Sequence, residues 1–149
     1  IRIEVFNGVW EALATGRSDI AIGATTANPV GGAFKFTNMG NIDWLFVVSS
    51  DHPLANIMRP LHDDELRIFP SICHSAINCF AEGLGVGYMP EHLARPLIES
   101  GKLVCKTLHR VKQPSPCCLA WNDDQMSPAL AWVLDYLGDE EQLHRQWLA

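Results

Sequence analysis

No stretch of this 149-residue chain is long and apolar enough to cross a membrane as a helix. Its longest hydrophobic runs, such as Trp44 to Val48, fall far short of the roughly 20 residues a spanning helix needs. Positive charge is also scarce. Eleven lysines and arginines against 17 aspartates and glutamates leave a formal charge of -6, which excludes a chain that grips phosphate backbones by itself, since that takes clustered basic residues. The cysteines Cys73, Cys79, Cys105, Cys117 and Cys118 are odd in number and contain no CxxC pair, so they read as reduced, buried thiols of a cytoplasmic protein. Cys117 and Cys118, being adjacent, must point to opposite faces of any strand. A GxSxG, an HExxH and a P-loop are all missing, and with them any foothold for catalysis, a cofactor or a catalytic metal.

Three local patterns imitate sites and are better read otherwise. His62-Asp63-Asp64-Glu65 has metal-ligand residue types, but consecutive residues on one short helix cannot converge on an ion; acidic residues at a helix start are favoured by the helix dipole. Gly83, Gly85 and Gly87 imitate a nucleotide-binding GxGxxG, yet they follow a helix and open a strand, the reverse of the Rossmann order. Among the histidines, His52 reads as the residue that fixes the turn after the Trp44 strand. His74, His92, His109 and His144 lack the carboxylate or cysteine arrangement of a nucleophile or metal site.

What is present is ordinary globular composition, 48% hydrophobic and 19% charged, in an α/β order. Ile1 to Phe6 alternates as a strand. Gly8 permits a turn, Val9, Trp10 and Leu13 give a short helix its apolar stripe, and Gly16 ends it. Asp19 to Gly23 is apolar on both faces after its first residue, as in a parallel strand covered by helices on each side. A Pro/Gly-rich loop, Thr25 to Gly32, precedes strands over 34–41 and 44–48. The pattern then predicts helices over 61–69, with Asp63 as N-cap and Pro70 as stop, and over 75–81. A strand follows over 86–89, then a helix from Pro90 that Pro96 must interrupt and Gly101 closes. Strands over 103–108 and 117–121 are separated by a Pro114-Ser115-Pro116 turn. Ser127 caps a helix bearing Leu130, Val133, Leu134 and Leu137, and Asp139 with Gln142 forms a capping box for a last helix carrying Leu143 and Trp147.

Five segments in this order carry a resemblance: ALATGRSDIAIG (12–23), LFVVSSDHPLA (45–55), GLGVGYMPEHLA (83–94), ESGKLV (99–104) and SPALAWVLDYL (127–137). Together they resemble the effector-binding domain of LysR-type transcriptional regulators. NGVWEALATGRSDIAIGAT, NPVGGAF and CCLAWNDDQMSPALAWVLDYLGDEEQL are similar to the branch that regulates purine-nucleoside and allantoin use in enteric bacteria. The resemblance implies a two-lobed, periplasmic-binding-protein-like (type 2) α/β domain, each lobe a mixed, mostly parallel sheet flanked by helices. Lobe I would comprise 1–46 plus 120–149 and lobe II 47–119. It further implies a small-molecule effector in the interlobe cleft, homodimers, tetramers in intact regulators, and DNA contact only through an N-terminal winged helix-turn-helix that this chain lacks.

Family pattern also suggests that a first strand and helix precede Ile1, which opens in mid-strand, and that roughly 25 residues, about two strands and a helix, are absent between Cys73 and His74. The alternating strand Ile1 to Phe6 suits the edge of a dimer interface. Strand-end logic and the resemblance together nominate ligand contacts at Asn7, Gly8, Val9 and Trp10 after one strand and at Ala24, Thr25 and Thr26 after the next. The resemblance alone adds Gly85, Val86 and Gly87 in lobe II. Trp10 would stack on a planar ligand, and a purine nucleoside or related planar nitrogenous compound is the favoured effector. The alternative is a free-standing solute-binding protein of a transporter, which shares the fold but would carry a secretion signal and seldom keep five cysteines.

Overall fold

The short helix expected after the Gly8 turn forms as α1 (Gly8–Ala14), and Gly16, in the left-handed region at φ 68°, ends it. The computed structural model describes residues 8–25, 33–72 and 77–148. The chain divides into two compact units, 1–41 with 115–149 and 42–114.

In the first unit, β6 (Ser115–Asn122) lies between β1 (Ile20–Thr25) and β2 (Phe34–Ile42). Its segment Cys117 to Ala120 is buried throughout. α1 covers one face, where Trp10 and Leu13 pack against Ala21, Ala24, Cys118 and Ala120. The 3-10 turn Asp123–Gln125 follows β6, and the ammonium of Lys35 lies 2.8 Å from the Asp123 carboxylate, holding its pKa below the usual range. α5 (Pro128–Leu137) and α6 (Glu140–Trp147) start as expected. Ser127 Oγ accepts from the Leu130 N–H at 3.1 Å, and Asp139 Oδ1 accepts from the Gln142 N–H at 3.0 Å. Leu143 is fully buried, and Gly40, at φ 109°, lets β2 pass close to His144: a Cβ there would stand 2.6 Å from the ring Nδ1.

The second unit is built on β3 (Trp44–Ser49), flanked antiparallel by β4 (Gly87–Pro90) and β5 (Leu103–Lys106). Alternation on β3 separates two cores. Phe46 and Val48 pack with Leu54, Leu61, Val86 and Leu108 on one face. Val47, Met89 and Leu103 meet Phe80 of α3 (Ile77–Ala81) and Ala94 of α4 (Glu91–Glu99) on the other. Burying each such large side chain contributes about 1.5–3 kcal/mol. Among the described residues outside the named strands, Leu61 with Leu108 and Ser71 with Val86 form parallel bridges. The second explains two glycines. A Cβ on Gly85 would run into the Pro70 carbonyl oxygen, and one on Gly87 would stand 2.7 Å from that of Ile72.

Two buried polar groups hold the loop after β3. His52 Nδ1 accepts from the Leu54 N–H at 3.2 Å, its ring edge-on to Phe69 at 4.4 Å, so it does fix the turn. Lys106 reaches across from β5 and donates to the carbonyls of Ala55, at 3.0 Å, and Ile57.

Several expectations need correction. The helix over 61–69 contracts to α2 (Asp63–Leu66), because Leu61 is engaged in its bridge to Leu108. His62, not Asp63, takes the cap position, where its N–H donates to Glu65 at 2.9 Å. Arg59 bonds the same carboxylate and holds its pKa down to about 2. α4 runs through Pro96. A proline there removes one hydrogen bond, to His92, and the carbonyl of Pro96 still accepts from the Ser100 N–H at 3.1 Å. Strand β6 already includes Ser115 and Pro116, which the turn reading had kept out. Cys117 and Cys118 are buried and point to opposite faces, and burial beside Cys117 pushes the Cys118 thiol up to about 11. Cys105, on edge strand β5, is exposed rather than buried. The expected strand at Ile1 to Phe6 and the Cys73–His74 junction lie outside the described residues.

Gly85→Ala should lower stability by about 1–3 kcal/mol, read as a reduced denaturant midpoint, because the parallel bridge cannot take the added methyl group. His52 sets a pH dependence. Burial keeps its pKa below the ordinary 6.5, so the unfolded chain binds a proton that the folded chain does not. Its contribution is therefore full above pH 6.5 and falls as pH drops through the lowered value. Urea midpoints at pH 7.5 and 5.5 should differ less in His52→Gln than in the parent; equal differences would rule this out.

Candidate functional site

The nominated residues of the first unit meet where α1 begins and β1 ends. Gly8 and Val9 are half-buried at the helix start. Trp10 is buried, only 5% exposed, edge-to-face with Phe34 at 5.7 Å, and in one cluster with Ala24. That position places Trp10 in the core, where its ring cannot offer an open face for stacking. Its buried Nε1–H has no hydrogen-bond partner among the described residues. Ala24 is buried too, and its carbonyl accepts from the Cys118 thiol at 3.4 Å.

Sequence reasoning missed the device that aims the strand end. β1 pairs antiparallel with β6, so the parallel character expected of this strand does not describe its pairing to β6. The register steps from Ile22 opposite Leu119 directly to Ala24 opposite Cys118. Gly23, at φ 77°, is the bulged residue between them. The extra residue inverts the alternation. Ala21 and Ala24 therefore lie on the same face, under α1, while Thr25, opposite Cys117, shares the face of Ile22 and Leu119. Ile22 is 39% exposed there, so the strand is not covered on both faces by described residues. Thr25 is exposed at the strand's carboxyl end, on the sheet face away from Trp10. The local signal was available: an isolated glycine inside a strand pattern often marks a bulge.

Gly85, Val86 and Gly87 are buried in the second unit against Pro70, Ile72 and Phe80, so packing alone requires the glycines to be small. Asn7 and Thr26 lie outside the described residues. Among the described residues no three histidine, cysteine or carboxylate side chains gather as metal ligands, and no helix is long and apolar enough to cross a membrane. A cavity of about 540 Å³ opens elsewhere in the first unit, lined by Met39, Gly40, Asp139, Glu140, Glu141 and His144. Its polar groups are engaged. Glu140 accepts from Asn38 at 2.7 Å, Glu141 pairs with Arg145 at 2.9 Å, and His144 Nδ1 is bonded to the Met39 carbonyl at 3.1 Å.

Residues 71–142 match the LysR substrate binding domain. The chain is 42% identical over 172 residues to the HTH-type transcriptional regulator PunR of Escherichia coli (strain K12), an alignment that takes in 97% of this chain and 56% of PunR. It is 30% identical over 146 residues to the HTH-type transcriptional activator AllS of Salmonella typhimurium, with 80% of this chain and 47% of AllS covered. The chain thus spans about half the length of the curated relatives it matches. Among solved structures, ArgP from Mycobacterium tuberculosis superposes with a TM-score of 0.69 at 21% identity, over 95% of this chain and 54% of ArgP, a likeness of fold. The chain belongs to the LysR family, as its substrate-binding domain with a periplasmic-binding-protein-like α/β fold.

Proposed function

We propose that this chain is the ligand-sensing part of a LysR-type DNA-binding transcriptional regulator, and that its effector is a purine nucleoside or a related planar nitrogenous compound. One observation carries the reading: the 42% identity to a transcriptional regulator extends over 97% of the chain, through both compact units. That favours regulation over the solute-binding alternative. In this reading the two units are the two lobes. The effector contacts Asn7 to Trp10, Ala24, Thr25 and Thr26 of the first unit and Gly85 to Gly87 of the second. The exposure of Thr25 at a strand's carboxyl end supports its part in this, as does the bulge that turns it outward. For Gly85 to Gly87 the support is family resemblance alone.

The intact protein would be cytoplasmic, non-enzymatic and oligomeric, a dimer through this part and a tetramer when whole, and would reach DNA through a separate winged helix-turn-helix. A ligand that prefers one arrangement by 1–3 kcal/mol suffices for a useful response. The acidic balance of this chain agrees with DNA contact residing elsewhere.

We also propose that a segment present in the relatives is absent here. The PunR alignment runs over 172 residues yet takes in 97% of 149, so about 27 of its positions have no counterpart in this chain. The AllS alignment, 146 residues over 80%, leaves about the same number. Equal excess in both supports one internal gap; its place at Cys73–His74 rests on the family pattern alone.

Thermal denaturation tests the effector. Adenosine or inosine at a hundredfold excess over its dissociation constant should add about 2.7 kcal/mol, a rise of roughly 5–10 °C for a domain of this size. Allantoin, amino acids and sugars should give less; a larger shift from any of these, or none from purines, would overturn the effector assignment. Thr25→Val should weaken nucleoside binding about fivefold, the worth of one neutral hydrogen bond, while Thr25→Ser should restore it.

A further inference from the structure

After β5 the chain turns back across the sheet face that carries Phe46, Tyr88 and Lys106, and it is fastened there at successive points. Leu108 is buried in that core and bridged to Leu61. The Tyr88 hydroxyl donates to the Arg110 carbonyl at 3.1 Å and is also bonded by the backbone N–H of Lys112. Tyr88 is itself held edge-on to Phe46, the residue opposite it on β3, with ring centroids 5.2 Å apart. Beyond these, the Lys112 ammonium lies 3.4 Å from the centre of the Trp44 ring and 5.2 Å from that of Tyr88.

The location gives these contacts a meaning beyond local packing. The polypeptide comes into the second unit at Ile42 and leaves it at Pro114. Trp44 and Lys112 are each two residues inside those points. A cation over a tryptophan face is the strongest form of this interaction, and a half-buried lysine such as Lys112 gains more from it than a fully exposed one.

We infer that Arg110 to Lys112 form a strap: Lys112, clamped on Trp44 and Tyr88, ties the point where the chain leaves the second unit to the point where it comes in. The two connections then loosen or tighten together. A sensing domain of two units gains from such a device, because movement at one connection cannot be absorbed without the other. That use rests on the proposed function; the strap itself is a property of the fold and is tested without any ligand.

Hydrogen exchange followed by mass spectrometry on the whole chain decides it. Lys112→Met keeps the aliphatic stem and removes the charge. Exchange should rise about two- to thirtyfold in peptides spanning 42–46 and 110–113 together, while 77–81 and 103–106 stay as in the parent. Lys112→Arg, which keeps a cation, should return both toward the parent, and Trp44→Leu should repeat the paired rise. A rise confined to 110–113, or none at either end, would overturn the strap. Should Trp44→Leu fail to fold, the two Lys112 variants still decide the matter.

Discussion

A strand covered on both faces can carry apolar side chains in either direction, and each unit of this protein is organised around one. β3 buries Phe46 to Ser49 between two separate cores, and β6 buries Cys117 to Ala120. Strands β1 and β2 flank β6, β4 and β5 flank β3, and α1, α3 and α4 cover them. Four consecutive buried residues permit no polar side chain that lacks a local partner. Paired cysteines serve well there. They are small, apolar and, with the Cys118 pKa raised by burial, chemically quiet.

The same constraint decides how far the sequence can be read. β3 was legible because Leu45 to Val48 is a continuous apolar run, and α5 because Ser127, Pro128 and Gly138 mark its ends. Contacts between distant segments were not legible. Nothing near Ile20 announces that it pairs antiparallel with Trp121, about a hundred residues on, because strand partners are chosen by tertiary packing rather than by local periodicity. Pro96 misled for a related reason: the rule that proline ends a helix neglects how little one missing hydrogen bond matters when Ala94, Leu97 and Ile98 anchor the helix to the core.

Much of the candidate site was visible as a place, less as a set of side chains. The start of α1 and the end of β1 do converge, as the turn, helix, glycine and strand order implied. Trp10, however, is spent on the core, and Gly23 reverses the side on which Thr25 emerges. The second outcome depends on the count of residues between the last regular pairing and the strand end. A single insertion changes inside for outside, and composition cannot register it.

Lys106 carries a further consequence. Its ammonium is enclosed and spent on two carbonyls of the loop after β3, 8% of the residue remaining in contact with solvent. Acylating reagents that attack free amines will reach the surface lysines first and this one only when the loop lets go. The folded chain thus contains an amine whose chemical silence reports that the loop is in place.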